Sequence, residues 1–388
     1  MTAHAEIASA KNREIEVLRA LAILLTLAQH LPILLPWPNP PAWVKAIYDH
    51  TAFWVGVDLF FVISGFVVTQ SLLNAFAKAG GDSHTRWREV KRFWVRRAFR
   101  LFPMAWLGLI IVMLATAFFN SSGVFGALAD NAKQSLWIFF YAYNWIVYPL
   151  FAEGTSIAAL GVFWSLATEE QFYVLLPLLL LLLKPRGLMF VLFVAIAAQF
   201  FIWRPAPWTE PFWGLRFEAL AWGVLLAFFA SRSGCEKWEP VWLTSTLART
   251  VTNLLLLAVI VCLPAWLMHR ASFGTGVLAI FCAIWIWLAG FSRGYVMQVG
   301  ATSRALEWLG ARSYAIYVMH VPGFMFTREL ALRFLHDEGA NGNASQWNFA
   351  LATLVFGVGL VLLVATICHR VVERPWRESG RRIALNIT

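Results

Sequence analysis

The sequence predicts an all-α polytopic membrane protein, and its composition and hydropathy are the observations that predict it. Hydrophobic residues make up 60% of the 388-residue chain and charged residues only 13%. Soluble domains average about 45–50% apolar and about 25% charged residues. The mean hydropathy is +0.66, and apolar runs of about 20 residues, long enough to cross a bilayer, recur along the chain. This composition excludes a soluble enzyme, a disordered protein and a small disulfide-rich secreted module.

About ten apolar segments are predicted to cross the membrane as helices. They are 17–35, 52–76, 101–119, 163–183, 187–203, 212–230, 251–268, 273–291, 312–330 and 348–368. An eleventh apolar segment, 135–150, is shorter and contains Asn144 and Pro149. We expect this segment to be re-entrant or to lie in the membrane interface, because a full crossing there would reverse the side of every later loop.

The distribution of basic residues sets the predicted orientation. With ten spans and both termini in the cytoplasm, most of the 31 Lys and Arg residues fall in cytoplasmic segments, as the positive-inside rule expects. The largest group lies in a basic cytoplasmic loop, 77–100, which is predicted to continue as a helix into the third span. A short cytoplasmic tail is predicted at 369–388. The net charge of +10 is therefore a topology signal, and no nucleic-acid partner is expected.

The chain is predicted to form a single membrane domain, 1–388, because no internal repeat or low-complexity linker divides it. The four cysteines, at 235, 262, 282 and 368, show no metal-like spacing. Without a cysteine or histidine ligand set, no metal is expected.

Four ionisable residues lie at similar predicted depth in the outer half of the bilayer: His30, Asp58, Glu169 and Glu170. Such groups are costly in a membrane unless they are paired or hydrated, so each is a functional candidate. Histidine takes up a proton near neutral pH, and a neighbouring carboxylate can fix its tautomer. The pattern predicts a proton-handling site, with a hydrogen-bonded core histidine as the alternative reading of His30.

Three further polar residues lie within predicted spans. His320, which is followed by Pro322, is either a functional group or a structural or gating residue. Arg216 and Glu218 either neutralise each other or contact a polar ligand, and the sequence leaves both readings open.

A dense basic cluster, Arg96, Arg97 and Arg100, stands just ahead of Pro103. On a helix these three guanidinium groups occupy adjoining faces, and guanidinium suits phosphate recognition because it offers planar bidentate donors. The alternative is an anchor against anionic lipid headgroups. Ser64, in the sequence Ser-Gly-Phe of the second span, is equally compatible with close helix packing.

Six motifs together resemble the acyltransferase-3 family of membrane-bound acyltransferases, which modify carbohydrates and related molecules. The motifs are Glu16-Val-Leu-Arg19 with His30 eleven residues after the arginine, Gly56-Val-Asp58 through Ser64-Gly65-Phe66, Arg96-Arg97-Ala-Phe-Arg100, Trp164-Ser165 through Glu169-Glu170-Gln171-Phe172-Tyr173, Ser313 through Tyr317 and His320-Val-Pro322, and Glu373-Arg-Pro375. The resemblance covers roughly residues 13–378, and the order and spacing of the motifs make it specific.

The resemblance implies a ten-span core, a donor, usually acetyl-CoA, bound from the cytoplasm, and a carbohydrate or glycosylated acceptor at the far side. His30 matches the essential histidine of the family, and Arg19 matches its partner. The Arg96, Arg97 and Arg100 group matches an Arg-Arg-x-x-Arg motif associated with the donor. Ser64 is expected to lie near the donor as well, and Trp164 and Tyr317 near the substrate.

Two departures from the family pattern are noted. Some relatives carry a fused C-terminal hydrolase-like domain, and this chain is expected to lack one. Glu16 stands where aspartate is common, a change that keeps the charge.

The sequence therefore predicts an integral O-acyltransferase of the bacterial inner membrane that transfers an acyl group, by default acetyl, from acyl-CoA to a hydroxyl. His30 is expected to act as the general base, oriented by Asp58 or by one of the two adjacent glutamates. A covalent relay through His30 or Ser64 is the mechanistic alternative. The functional alternative is a transporter or flippase for a lipid-linked sugar or other polar substrate, although no inverted repeat is visible.

Overall fold

The computed structural model describes residues 12–35, 40–204, 210, 212–268, 270, 272–334 and 343–387. All regular secondary structure within these ranges is helical. The helices are α1 (Arg13–His30), α2 (Ala42–His50), α3 (Val55–Ala79), α4 (Ser83–Phe118), α5 (Leu128–Phe139), α6 (Tyr143–Ala152), α7 (Phe163–Leu182), α8 (Pro185–Gln199), α9 (Phe217–Ala230), α10 (Thr246–Leu267), α11 (Gly274–Gly290), α12 (Ala301–Ala311), α13 (Ser313–Phe334), α14 (Asn343–Cys368) and α15 (Arg374–Leu385). A π-helical turn, His369–Glu373, joins α14 to α15.

Each of the ten apolar segments of the sequence contains one of these helices, so the all-α prediction is confirmed over the described ranges. Among the described residues, six helical stretches are long and apolar enough to cross a membrane. Three other apolar helices, α8, α9 and α11, have only 14 to 17 residues. A straight crossing needs about 20 residues, so the number of spans and the positions of the termini stay predictions.

The segment predicted to be re-entrant or interfacial is a helical hairpin. Helices α5 and α6 are joined by a tight turn at 140–142, where the Ala142 N–H donates to the Trp137 carbonyl at 2.9 Å. Tyr141 at its tip has a φ of 52°, which few residues other than glycine adopt. The Tyr141 ring stacks on Phe102 of α4 with centroids 4.9 Å apart. The hairpin therefore reaches α4 close to the basic cluster, and its passage through a membrane stays a prediction.

Most of the basic loop, 77–100, is helical. Gly80 ends α3 with a φ of 63°, and the Asp82 carboxylate accepts hydrogen bonds from the backbone N–H of both His84 and Thr85. This cap, together with the Thr85 hydroxyl, lowers the pKa of Asp82. From Ser83 the helix α4 runs unbroken for 36 residues, past Pro103, to Phe118. The basic loop therefore continues as one helix into the apolar segment 101–119, as predicted.

Two glycines bring α3 and α9 into backbone contact at the centre of the bundle. A Cβ added to Gly65 would lie 2.2 Å from the Leu220 carbonyl oxygen, and one added to Gly223 would lie 2.3 Å from the Val62 carbonyl oxygen. No larger side chain fits either position. Small residues at helix crossings are the usual means of close packing in membranes, and this crossing sets where the polar residues of α3 point.

Candidate active site

A cavity opens between α1, α3, α4, α7 and α13. The space between these helices is about 670 Å³, its open mouth included. Polar and charged side chains from all five helices line it, among them Arg19, Ser64, Arg100, Glu169 and Tyr317. The sequence singled out each of these five residues, and the structure brings them to one cavity.

One end of the cavity is strongly basic, and we call it the basic end. Arg19, Arg97 and Arg100 line it. The guanidinium carbon of Arg97 lies 4.7 Å from the centroid of the Tyr173 ring, a cation–π contact that holds it in place. Arg19 Nη1 donates to Glu16 Oε1 at 2.6 Å. The basic end therefore has a positive charge and several rigidly held guanidinium donors.

The middle of the cavity contains a compact hydrogen-bonded group. Ser64 Oγ donates to Glu169 Oε1 at 2.5 Å, and it lies 2.5 Å from the Tyr173 hydroxyl. The Tyr173 hydroxyl also donates to Glu169 Oε1. Because Glu169 and Tyr173 are four residues apart on α7, they present their side chains to the same face of the helix.

The end away from the arginines is closed by Tyr317 of α13. Its hydroxyl lies 2.5 Å from Ser165 Oγ and donates to the Val162 carbonyl at 3.0 Å. The Tyr317 ring also lies against the imidazole of His320, with ring centroids 5.5 Å apart. The cavity thus ends one aromatic ring away from a histidine.

His320 is paired with His30. His320 Nε2 lies 3.2 Å from His30 Nδ1, and the ring centroids are 4.8 Å apart. His320 Nδ1 lies 2.6 Å from the Tyr317 carbonyl oxygen, and His30 Nδ1 lies 2.9 Å from the Thr26 carbonyl oxygen. A carbonyl only accepts, so each neutral ring carries its proton on Nδ1. His320 Nε2 then accepts from His30, and the lone pair of His30 is on Nε2.

Asp58 does not join this site. Its carboxylate is buried in an ion pair with Arg216, with Oδ1 2.6 Å from Nη2. The side-chain direction explains the difference from the predicted proton-handling cluster. Asp58 and Ser64 are six residues apart on α3, which rotates them about 240° relative to each other. Asp58 shares the face of Gly65, which packs on α9, whereas Ser64 faces the cavity. The expectation that Asp58 orients His30 is therefore corrected, because Thr26 and His320 hold the ring.

Arg216 and Glu218 belong to a buried charge network rather than to the cavity lining. Arg216 stands at the N-cap of α9, ahead of the helix and not inside it as predicted. Its guanidinium lies between the rings of Trp54 and Trp213, 4.8 and 5.0 Å from their centroids. Its Nε is 3.9 Å from Glu218 Oε1. The reading that these two residues neutralise each other thus describes part of their environment.

Arg204 completes the network. Arg204 lies in the loop after α8, yet its side chain is buried and donates to Glu218 Oε1 at 2.8 Å and to Thr275 Oγ1 at 2.5 Å. Two arginines and two carboxylates, Asp58 and Glu218, give this network no net charge. Opposite charges that are paired in this way are what burial requires of charged groups.

Three other predicted site residues lie beside the cavity without lining it. Glu170 points away from Glu169 by about 100° on α7 and faces Tyr141 of the hairpin. Trp164 is buried, with its ring centroid 6.0 Å from that of Phe61. Arg96 is separated from Arg97 by the same helical rotation and lies near Arg381 of α15.

Two residues of the site, Tyr173 and Ser165, are not assigned a role by the sequence analysis. Both lie within the quoted Trp-Ser to Phe-Tyr motif, four residues after and four residues before Glu169. Because Ser165, Glu169 and Tyr173 are four residues apart, they lie on one face of α7, and this spacing is the signal that could have identified them. Arg204 and Thr26 gave no such signal, since a loop arginine and a helical threonine carry no pattern of their own.

Comparison with known proteins agrees with these features. The model of the acyltransferase-3 family, described as an acyltransferase domain, matches residues 12–370. A peptidoglycan O-acetyltransferase of Listeria monocytogenes is 26% identical, over 94% of this chain and 56% of its own length. A Bacillus subtilis protein provisionally named a peptidoglycan O-acetyltransferase is 27% identical, over 94% of this chain and 55% of its own length. A Staphylococcus aureus protein provisionally named an O-acetyltransferase is 26% identical, over 95% of this chain and 58% of its own length.

The chain spans about half the length of these curated relatives. No solved structure matches it. Multiple long apolar helices make the chain an integral, multi-pass membrane protein. The family resemblance read from the motifs is confirmed by a match over nearly the whole sequence, and the chain belongs to the acyltransferase-3 family.

Proposed function

We propose that the protein is a membrane O-acyltransferase that moves an acetyl group from acetyl-CoA to a hydroxyl of a cell-envelope carbohydrate in the bacterial inner membrane. One observation carries the proposal. A single cavity is lined by three arginines at its basic end and by Tyr317, whose ring lies against His320, the neighbour of His30. This arrangement supports a donor phosphate site at the basic end and a proton acceptor just beyond Tyr317.

The donor binds with its phosphates at the basic end. Arg19, Arg97 and Arg100 offer guanidinium groups, which form charge-assisted bidentate hydrogen bonds with phosphate oxygens. Along α1, Arg19 and His30 are eleven residues apart, a rise of about 16 Å. An extended donor held at the arginines, such as acyl-pantetheine on a nucleotide, spans that distance and brings its thioester towards the histidines.

His30 acts as the general base. Its Nε2 lone pair accepts the proton of the acceptor hydroxyl while the hydroxyl oxygen attacks the thioester carbonyl. The C–S bond of the resulting tetrahedral intermediate then breaks, and the departing thiolate takes the proton back from the His30 imidazolium. The products are the ester and free CoA, so no proton is gained or lost. A positioned base of this kind contributes about 10²–10⁴ in rate.

His320 and Thr26 position this base. The Thr26 carbonyl and His320 Nε2 both accept from His30 Nδ1–H, which keeps the lone pair on Nε2. In many acid–base sites the hydrogen-bond partner of Nδ1 selects the tautomer of the histidine in this way. The carboxylate predicted for this role is thus replaced by a second imidazole.

The acceptor is a glycan hydroxyl. The names of two relatives state peptidoglycan O-acetylation, and these relatives are nearly twice the length of the matched segment. We extend the acceptor class to this chain as a carbohydrate of the cell envelope, reached from the side of the bundle opposite the basic end.

The test uses purified protein in detergent, because a transporter or flippase does not cleave a thioester. Acetyl-CoA is added with and without peptidoglycan fragments, and free CoA is measured. Thioester cleavage that depends on the acceptor and yields an acetylated glycan supports the enzyme. Binding of the glycan without any CoA release would instead favour transport of a polar sugar.

The variant Ser64→Ala distinguishes a covalent acyl-enzyme relay through Ser64 from direct transfer. Ser64 is bonded to Glu169 and Tyr173 within the cavity, so loss of its hydroxyl abolishes turnover if it carries the acyl group. In the direct mechanism the variant keeps the catalytic base and retains most of its rate. A labelled acetyl group trapped on the protein would contradict the direct mechanism.

A further inference from the structure

Helix α15 packs closely against the basic part of α4. A Cβ added to Gly380 would lie 2.4 Å from the Cβ of Phe99, and the Phe99 and Trp376 ring centroids are 5.7 Å apart. Arg92 Nη2 donates to the Ile387 carbonyl at 3.0 Å, just after α15 ends. These contacts fix which side chains of α15 lie beside α4.

Two arginines of α15 extend the basic end of the cavity. Arg377 and Arg381 are four residues apart and flank Gly380, so they share the face next to α4. Arg377 interacts electrostatically with Arg100, and Arg381 interacts with Arg96. Since Arg100 lines the cavity, these residues extend the positive charge of its basic end from α4 to α15. We call Arg96, Arg100, Arg377 and Arg381 the outer arginine cluster.

The outer arginine cluster has an excess of positive charge. The nearby carboxylates are fewer than the arginines: Glu16 is paired with Arg19 and Glu89 with Arg92, while Glu373 and Glu16 also attract Arg377. The Nε atoms of Arg100 and Arg377 are buried, and neither has a hydrogen-bond partner among the described residues. Buried donors normally have partners, and like charges held together repel. An anionic ligand would satisfy both conditions.

We propose that the outer arginine cluster binds the nucleotide phosphates of the donor, with Arg377 and Arg381 as the residues that select a nucleotide-bearing acyl carrier. This inference rests on the proposed function. Coenzyme A carries a diphosphate and a 3′-phosphate at the end opposite its thioester, whereas an acyl-phosphopantetheine carries one phosphate. The cavity holds the pantetheine arm, and the cluster, which begins at Arg100 in the cavity lining and continues onto α15, holds the additional phosphates.

Arg377 and Arg381 were not part of the motifs that identify the family. The family match ends at residue 370, before α15 begins. The donor-binding arginines expected from the resemblance all lie on α1 and α4. The additional phosphate site is therefore an inference from the packing of α15.

The experiment measures the affinity of purified full-length protein for two donors, acetyl-CoA and S-acetyl-4′-phosphopantetheine. The variant is Arg377→Gln with Arg381→Gln, and Arg382→Gln is the control. Arg382 lies about 200° from Gly380 on α15, away from α4. We expect the double variant to lose roughly tenfold or more in acetyl-CoA affinity, the loss of about one charge-assisted hydrogen bond. Its affinity for the short donor and the affinities of the control are expected to stay unchanged.

A second pair of variants, Arg377→Lys and Arg381→Lys, keeps the charge and is expected to recover part of the affinity for acetyl-CoA. Equal affinity of wild type and the double Gln variant for acetyl-CoA would overturn the inference while leaving the proposed function intact. An equal loss for both donors would also overturn it, because the change would then be structural. Failure of wild type to bind acetyl-CoA would refute the proposed donor itself.

A lipid anchor uses the same phosphate chemistry, so one arm of the experiment compares nanodiscs with and without phosphatidylglycerol. If the double Gln variant loses thermal stability only in phosphatidylglycerol and keeps its affinity for acetyl-CoA, the cluster binds lipid headgroups and the inference is wrong. A loss of acetyl-CoA affinity of the same size in both nanodiscs supports the donor site.

Discussion

The Nε2 atom of His320 lies 3.2 Å from Nδ1 of His30, although the two residues are 290 positions apart in sequence. The Tyr317 carbonyl accepts from His320 Nδ1 and the Thr26 carbonyl accepts from His30 Nδ1. Each of these backbone carbonyls therefore fixes the tautomer of one imidazole, and the two imidazoles contact each other. In the proposed mechanism this arrangement leaves Nε2 of His30 as the base and gives His320 a positioning role.

This relationship predicts how substitutions of His320 affect turnover. His320→Phe keeps an aromatic ring but removes the acceptor for His30 Nδ1–H, so we expect kcat to fall while the affinity for acetyl-CoA is kept. His320→Gln can place an amide oxygen near the position of Nε2 and is expected to recover part of the rate. The measurement is kcat and donor affinity for both variants over pH 5 to 9, set against wild type.

The pH dependence separates positioning from packing. Wild-type activity should rise with pH as the base loses its proton, because a protonated His30 accepts nothing from the acceptor hydroxyl. In His320→Phe the midpoint of this rise should move, since the hydrogen bond at Nδ1 is gone. If His320→Phe only lowers thermal stability and leaves the profile where it was, His320 is a packing residue.

The buried charge network predicts a double-mutant cycle. Asp58→Asn and Arg216→Gln each leave a buried charge without its partner, which typically costs about 3–5 kcal/mol. The double variant removes both charges and should be destabilised by less than the sum of the single changes. Thermal unfolding in detergent measures all four proteins. Additive losses would mean that Asp58 and Arg216 are not coupled, against their 2.6 Å contact.

The glycine crossing of α3 and α9 predicts a local steric effect. Gly65→Ala places a Cβ about where the Leu220 carbonyl lies, so the helices must move apart, and overpacking of this kind costs about 1–3 kcal/mol. The matched control is Gly359→Ala on α14, where a Cβ would meet no atom within 4 Å. We expect a lowered unfolding temperature for the first variant and an unchanged or slightly raised one for the second. Similar stability of both variants would contradict the close approach of α3 and α9.

Much of this architecture can be predicted from the sequence, because apolar length and helical period are local properties. Every apolar segment contains a helix, and the basic loop at 77–100 continues into α4. Helical phase also explains why Arg97 and Arg100 line the same cavity as Arg19, whereas Arg96 does not. Donor binding by these arginines stays a prediction. Local patterns suffice for these features.

The partners of the buried ionisable groups could not be predicted by depth alone. Predicted depth gives only the position of a residue across the bilayer, and His30, Asp58 and Glu169 have similar predicted depths. The rotation about each helix separates them, so that Asp58 faces Arg216 and Glu169 faces Ser64. Tertiary packing decides that His30 meets His320 of α13 rather than a carboxylate. Arg204, which comes from a loop, is buried for the same reason.

The most direct test of the central claim is a titration of wild type and His30→Ala with acetyl-CoA, following donor binding and CoA release in the presence of peptidoglycan fragments. The account predicts equal donor affinity for the two proteins and a CoA release that is about 10²–10⁴ slower in the variant. Release at the wild-type rate by His30→Ala would contradict the assignment of His30 as the base.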